Sequence, residues 1–324
     1  MTDLDGASGP AVPVSGLNIQ LAQRLRNVGL DPAAVADFIA AALAEDLAGG
    51  ADVTTAATVA AGATGRGDLV ARSSGVVAGL PVAAAVFALV PVGAAGAELA
   101  VTALAADGDR VAAGQPVLCV TGLVGPILTA ERTALNLLCH LSGIATLTRQ
   151  WADAIAGTRA RVRDTRKTTP GLRALEKYAV RCGGGLNHRM SLSDAALIKD
   201  NHVAAAGSVA AAFAAVRSQL PGLPVEVECD TLDQVAEALA VGADEILLDN
   251  FTVPEMAEAV ALTGGRARLE ASGGLTLASA RPAAETGVDY LAVGALTHSA
   301  PALDIGLDLV QAHATSGTPD ATDD

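Results

Sequence analysis

The stretch "DTRKTTPG" at residues 164–171 sets Arg166 and Lys167 between an acid and a Thr-Thr-Pro-Gly turn, in a chain whose formal net charge is -14. An adjacent arginine and lysine are suited to holding carboxylate and phosphate oxygens, arginine through two parallel N–H groups and lysine as a point charge. The chain has 18 arginines but only three lysines, Lys167, Lys177 and Lys199. Of its 21 basic and 35 acidic groups, nine basic and three acidic (Asp164, Glu176, Asp194) fall within residues 161–199, leaving 12 basic against 32 acidic elsewhere. Arg173, Lys177 and Arg181 recur at helical spacing, so a solvated charged helix face explains part of this excess. A cleft that focuses positive charge on a small polyanion explains all of it. Nucleic acid is disfavoured, because a surface tracking a phosphate backbone is basic over a wide area and this chain is acidic elsewhere.

Other candidates follow along the chain. Thr169 reads as an N-cap with Pro170 at the first helical position, which sets a helix N-terminus beside the two cations. "CGGGLNHRM" ends that helix and presents His188 and Arg189, and "IKDNH" presents Lys199. In "VEVEC" the alternation puts Glu226 and Glu228 on one face, and strand geometry alone does not choose between them. Asp249 ends "EILLD". Two carboxylates at one rim suit Mg2+ bridging a diphosphate, or else balance the cationic cluster. "ASGGLT" (Ser272, Gly273, Gly274) and "AVGALTHS" (Gly294, His298) are glycine-rich turns of the kind that hold phosphate on backbone N–H groups. His140 and His202 are read as structural. Neither a GxxxxGK[ST] loop nor a Ser/His/Asp signature is present, so nucleotide hydrolysis and acyl transfer lack support.

The elements that must position these residues alternate. From about residue 160, short apolar runs (RVRDT, AALIK, VEVEC, EILLD, ARLEA, YLAVG) interleave with Ala/Leu-rich helical stretches, the pattern of βα units and a parallel sheet. Glu228, Asp249, Ser272 and Gly294 are separated by 21, 23 and 22 residues, about one βα unit each. In a barrel of such units they converge on the C-terminal rim, where ligand chemistry is found. The first 130 residues read as an α+β domain, with a helix over about 33–47, and a long helix over roughly 126–156 joins the two parts. The hairpin-like "ADGDRVAAGQPVLCV" is similar to that of lipoyl carriers, but it holds no modifiable lysine.

A chain of 324 residues allows roughly two domains. Apolar residues make up 51% and aromatic ones only 2%, so the core must be packed from Ala, Val and Leu. Residues 73–97 carry no charge, but prolines and glycines interrupt them, against a membrane span. No signal peptide is read at the acidic N-terminus. Cys119, Cys139, Cys182 and Cys229 lack metal or disulfide spacing and are expected as buried thiols of a cytoplasmic protein.

The run "DTRKTTPGLRALEKYAVRCGGGLNHRMSLSDAALIKDNH", together with "ERTALNLLCHLSGIAT", "VEVECDT", "LLDNF", "LEASGG" and "EDLAGGADVTT", strongly resembles the quinolinate phosphoribosyltransferase family over about residues 25–312. The resemblance implies an α/β protein, with an N-terminal α/β sandwich and an incomplete α/β barrel of the type II phosphoribosyltransferase kind. It implies phosphoribosyl transfer from phosphoribosyl pyrophosphate to quinolinate with decarboxylation, in NAD biosynthesis. By position, Arg166, His188, Arg189 and Lys199 match the quinolinate pocket, joined by Arg132 from the partner subunit of a homodimer with shared active sites, or of a higher oligomer. Lys167, Glu228 and Asp249 match the catalytic groups around phosphoribosyl pyrophosphate and Mg2+, with both carboxylates as metal ligands. Ser272, Gly273, Gly274, Gly294 and His298 match the 5'-phosphate cradle. No nucleic-acid or membrane partner is implied. The expected organisation is a disordered tail over 1–24, the sandwich over 25–135, the barrel over 136–300, and over 301–324 a helix packing back followed by a disordered tail. Three alternatives remain. They are a molybdenum-transport-associated paralogue with another acceptor, a phosphosugar aldolase or isomerase with Lys199 as Schiff-base lysine, and a phospho-ligand sensor.

Overall fold

A computed structural model describes residues 16–91 and 98–313. The chain divides into two compact units, Met1–Ser142 with Ala302–Asp324, and Gly143–Pro301. The first unit runs through α1 (Ile19–Asn27), α2 (Pro32–Asp46), α3 (Val53–Thr58), β1 (Thr64–Ala71), β2 (Gly75–Val76), α4 (Leu80–Leu89), β3 (Ala100–Ala103), β4 (Arg110–Val111) and β5 (Pro116–Leu123), then enters α5 (Val124–Ala154), which continues into the second unit. Helix α4, "LPVAAAVFAL", is apolar on every side and is buried accordingly, with Leu80, Val82, Ala83, Ala85, Val86 and Phe87 enclosed among α1, α2, β3 and β5. It starts at Gly79 (φ 99°), where a Cβ would stand 2.7 Å from Leu141 Cδ1, so this left-handed turn admits only glycine. Among the described residues no single helix is long and apolar enough to cross a membrane.

The second unit is the expected βα array: β6 (Arg161–Arg163), α6 (Arg173–Cys182), β7 (Ala196–Ile198), α7 (Asp200–Ala206), α8 (Val209–Gln219), β8 (Val225–Cys229), α9 (Leu232–Ala240), β9 (Glu245–Asp249), α10 (Val253–Thr263), β10 (Arg268–Ser272), α11 (Leu277–Glu285), β11 (Tyr290–Ala292) and α12 (Ala295–His298). Its six strands pair in parallel in the order β6-β11-β10-β9-β8-β7. The first and last strands of the array are neighbours, as in a barrel, but β6 and β7 are not paired to each other. Beside β6 stands a single parallel bridge, Arg163 to Leu186. Leu186 N donates to Val162 O at 2.8 Å and Asp164 N donates to Leu186 O at 3.0 Å. A loop therefore occupies the place of a strand, and the barrel is incomplete.

Capping chemistry gives the array its regular rim. Thr231, Thr252 and Thr276 each cap a helix and form reciprocal boxes with Gln234, Glu255 and Ser279. Glu228, Asp249 and Ser272 each lie just ahead of one of these caps, so strand ends and helix starts meet along one edge.

Four expectations are corrected. The segment expected as a C-terminal helix is a strand, β12 (Ile305–His313), paired antiparallel with β1 so that Ile305 faces Ala71 and Leu307 faces Leu69. "DIGLDL" alternates apolar and other residues with the period of a strand, and the strand covers the otherwise open edge of a sheet ordered β12-β1-β5-β3. The expected disordered tail is helical from Ile19, because Asn18 caps α1 and Leu21 and Leu25 are buried, whereas residues 1–15 lie outside the described residues, as does the tail after 313. Thr169 does not cap α6. Gly171 (φ 83°) turns the chain first, and the helix starts at Arg173. The division falls at Ser142, not at 135, and residues 302–313 return to the first unit.

Ile305 is 4% exposed. Ile305→Ala should therefore lower stability by about 2–5 kcal/mol in denaturant unfolding, as for other buried aliphatic truncations; a silent substitution would mean that the segment is not part of the core.

Candidate active site

One cavity of about 390 Å³ in the second unit collects side chains from the ends of successive strands. Arg166 and Lys167 follow β6, His188 and Arg189 stand in the loop after α6, and Lys199 follows β7. Glu228, Asp249 and Ser272 end β8, β9 and β10. All eight were singled out from sequence. Gly273 and Gly274 follow at positive φ (86° and 61°), before α11. Gly294 adjoins Lys167, since a Cβ there would lie 2.9 Å from Lys167 Cδ and 3.4 Å from His298 Nε2. His298 is exposed, and its Nδ1 is 2.6 Å from Ser299 Oγ. Arg132 lies on α5 in the first unit and is exposed.

Lys177, counted with the cationic cluster, has a different role. Its side chain and that of Asp164 are both 0% exposed, with Lys177 Nζ 2.5 Å from Asp164 Oδ1. Lys177 Nζ also donates to the carbonyls of His188 (2.8 Å) and Arg189 (3.1 Å). Asp164 accepts from His188 N at 2.8 Å and from Asn187 Nδ2 at 2.5 Å. Asn187 Nδ2 donates to Lys177 O at 2.8 Å. The pair thereby fixes residues 187–189 to the end of β6, filling the gap in the barrel. Glu176, also buried, holds the cation-bearing turn by accepting from Thr169 N at 3.0 Å. Two of the three glycines after α6 serve packing: a Cβ at Gly183 would fall 2.5 Å from Thr148 Cβ, and one at Gly185 2.8 Å from Thr148 Cγ2.

His188 faces the cavity with both nitrogens engaged. Nδ1 accepts from Arg189 N at 2.8 Å, so Nε2 carries the ring proton and meets Glu226 Oε2 at 2.6 Å. Burial pushes its pKa down from the ordinary value. It is a fixed, neutral wall and not a free cation. Arg189 is steadied by donating Nη1–H to Ala195 O at 2.7 Å, and its guanidinium pKa is lowered by burial and then by Arg166 beside it. Two guanidinium groups that repel one another, one with a buried Nε lacking any partner (Arg166), form a site that an anion would relieve.

At the other side Lys199 is ion-paired to Glu228. Asp249 accepts from Asn250 Nδ2 at 2.7 Å, and its carboxyl is pushed up by burial and then by Asp230. The choice between Glu226 and Glu228 is resolved by geometry: Glu226 is buried against His188, whereas Glu228 lines the cavity. Asp164, Glu270 and Arg163 were given no role from the sequence, and Glu226 was weighed only as the alternative to Glu228. The only sequence signals were a lone acid before the Arg-Lys pair and charged residues inside otherwise apolar strands.

The fold and this site define an incomplete α/β-barrel protein with a cationic, carboxylate-flanked ligand cavity. The quinolinate phosphoribosyl transferase N-terminal domain family matches residues 52–142, and the C-terminal domain family matches residues 144–308. The chain belongs to the quinolinate phosphoribosyl transferase family. It is 56% identical over 279 residues to a nicotinate-nucleotide pyrophosphorylase [carboxylating] of Mycobacterium leprae, covering 85% of this chain and 97% of that one. It is 45% identical to a probable nicotinate-nucleotide pyrophosphorylase [carboxylating] of Synechocystis, covering 76% and 83%. The crystal structure of NadC from Streptococcus pyogenes superimposes with a TM-score of 0.81 at 42% identity, covering 87% of this chain and 99% of that one.

Lys177→Met leaves the Asp164 carboxylate buried without its counter-charge. Urea unfolding should show a loss of about 3–5 kcal/mol, well beyond the sub-kcal/mol effect of removing an exposed helix cation.

Proposed function

We propose that this protein transfers the phosphoribosyl group of phosphoribosyl pyrophosphate to the ring nitrogen of quinolinate and releases the 2-carboxylate as CO2, giving nicotinate mononucleotide and pyrophosphate. The observation that carries this reading is the convergence of Arg166, Lys167, Arg189 and Lys199 on one cavity with Glu228 and Asp249. Quinolinate brings two carboxylates. Arg166 and Arg189 offer paired N–H groups for one, and Lys199 a point charge for the other. Lys167, with Ser272, Gly273, Gly274, Gly294 and His298 along the adjoining rim, takes phosphate oxygens. The aldolase reading is disfavoured, because the Lys199 amine is ion-paired to Glu228 instead of standing free as a nucleophile.

Glu228 and Asp249 would hold Mg2+. Their hard oxygens suit that ion, and burial, then the neighbouring Asp230, raises the Asp249 carboxyl, which a bound cation would relieve. When bound, the ion neutralises charge on the pyrophosphate leaving group. For the protein's own residues, ligand binding is an exchange of partners: Lys199 leaves Glu228 for a substrate carboxylate, which frees the Glu228 carboxylate that would hold the cation. Lys167 stays beside the departing pyrophosphate. Catalysis is by positioning and electrostatics, with no nucleophilic side chain.

Purified protein with quinolinate, phosphoribosyl pyrophosphate and Mg2+ should form nicotinate mononucleotide and CO2, and nicotinate should be a far poorer acceptor, since it leaves one set of cations unpaired. Equal turnover of nicotinate would reject the assignment.

We further propose a homodimer in which Arg132 of one chain completes the other's quinolinate site. Arg132→Ala and Lys167→Ala should each be nearly inactive, whereas isolated heterodimers of the two should regain up to half the wild-type activity, because one of their two sites carries neither lesion. Heterodimers as inactive as their parents would mean that Arg132 acts within its own chain.

A further inference from the structure

One acid lining the cavity lies outside every role given above. Glu270, on β10, is 1% exposed, yet its side chain reaches the cavity wall. Its Oε2 accepts from Arg163 Nη1 at 2.7 Å, and its Oε1 stands 3.8 Å from His188 Nε2. The groups around it come from five elements. Arg163 comes from β6, its guanidinium 4.5 Å over the Tyr290 ring of β11, and His188 comes from the loop after α6. Glu226 comes from β8, and Glu245 from β9.

Charge in this enclosed space does not balance without a proton on the Glu226–Glu270 pair. Glu245 is served twice, by Arg163 at 2.5 Å and by Arg268 at 2.8 Å. Glu226 and Glu270 are left with a share of Arg163 and one imidazole N–H, and the ligand atoms of His188, Glu226 and Glu270 all lie within 4.8 Å of one another. That N–H is directed to Glu226, whose other oxygen is buried without a partner. Two carboxylates so close and so buried do not both ionise. Of the two, only Glu270 lines the cavity, so the proton that the pair shares reaches a ligand through Glu270. The other charged groups at the wall are ill suited to give one up. Lys167 and Lys199 must keep their charge to hold anions, and Glu228 and Asp249 serve as anions themselves.

We propose that Glu270 is the general acid of the decarboxylation, delivering the proton that replaces the departing carboxylate on the pyridine ring; this rests on reading the cavity as a quinolinate site. When the bond from C2 to the carboxylate carbon breaks, CO2 leaves and the electron pair stays on C2 beside the ribosylated ring nitrogen. That pair takes the proton from the Glu270 carboxyl as its O–H bond breaks. Glu270 is left a carboxylate against Arg163, and a solvent proton restores it after product leaves. Each turnover thus takes up one proton.

Single-turnover reactions of the full-length protein with quinolinate, phosphoribosyl pyrophosphate and Mg2+, following pyrophosphate and nicotinate mononucleotide separately, test this. Glu270→Gln keeps the shape and an acceptor for Arg163 but holds no acidic proton. Its pyrophosphate release should stay within about threefold of wild type while nicotinate mononucleotide formation falls at least about tenfold, the scale of a positioned general acid, and quinolinate mononucleotide should appear. Wild type carries an independent reading that does not depend on the variant folding. Burial and then Glu226 push the Glu270 carboxyl up to about 7, so as an acid it acts below that value and is lost as pH rises through it. Nicotinate mononucleotide formation should decline across that range while pyrophosphate release does not. Coincident wild-type profiles, or a Glu270→Gln variant in which both rates are unchanged or fall together, overturn the proposal. Wild-type protein that forms no nicotinate mononucleotide at any pH rejects instead the quinolinate reading beneath it.

Discussion

The cavity depends on a lysine and an aspartate sealed together away from water. Asp164 and Lys177 have no exposed side-chain surface, and each also bonds the loop that carries His188 and Arg189. A buried ion pair offsets its desolvation only when its remaining donors and acceptors are satisfied. Here they are satisfied by the backbone that must be placed. The same contacts that make the pair tolerable therefore hold the 187–189 loop beside β6, where a closed barrel would have another strand. The opening in the barrel and the cationic cavity wall thus share one origin.

Around that pair the charges fall into two populations. Those inside the protein are held in fixed geometry: Arg163 pairs with Glu245 and Glu270, and the neutral His188 ring donates to Glu226. Those at the wall are partly paired or repel, as with Lys199 on Glu228 and Arg166 near Arg189. The first set orients and the second set binds. A dianionic acceptor and a polyphosphate donor would exchange places with the second set and leave the first unmoved, and that is how an acidic protein concentrates positive charge in one place without giving up order there.

Legibility in the sequence followed the range of the interaction. The βα array could be read because each unit carries its own signals, an apolar run followed by an Ala/Leu-rich helical stretch, and the strands at 225–229 and 245–249 coincide with the runs that announced them. The rim residues could be read because a fixed unit length returns Glu228, Asp249 and Ser272 to the same edge. Where a local signal had competition, the reading failed. Thr169-Pro170 has the form of a helix start, but Gly171 takes a left-handed turn and delays the helix to Arg173. The segment from Ile305 becomes a strand because β1, more than 200 residues earlier in the chain, offers it an open edge.

Sequence alone determined the chemistry available: which cations stand in series, which carboxylates end strands, and the family to which their long shared motif points. Those are properties of residue type and spacing, which survive in an unfolded chain. Only the tertiary structure decided the division of labour among identical residue types. Lys177 is structural whereas Lys167 and Lys199 line the cavity, and Glu226 holds His188 whereas Glu228 lines the cavity. The physical reason is burial. The same ammonium or carboxylate is a binding group at a wet wall and a structural or proton-holding group where water is excluded, and burial is set by neighbours that the chain brings together only on folding.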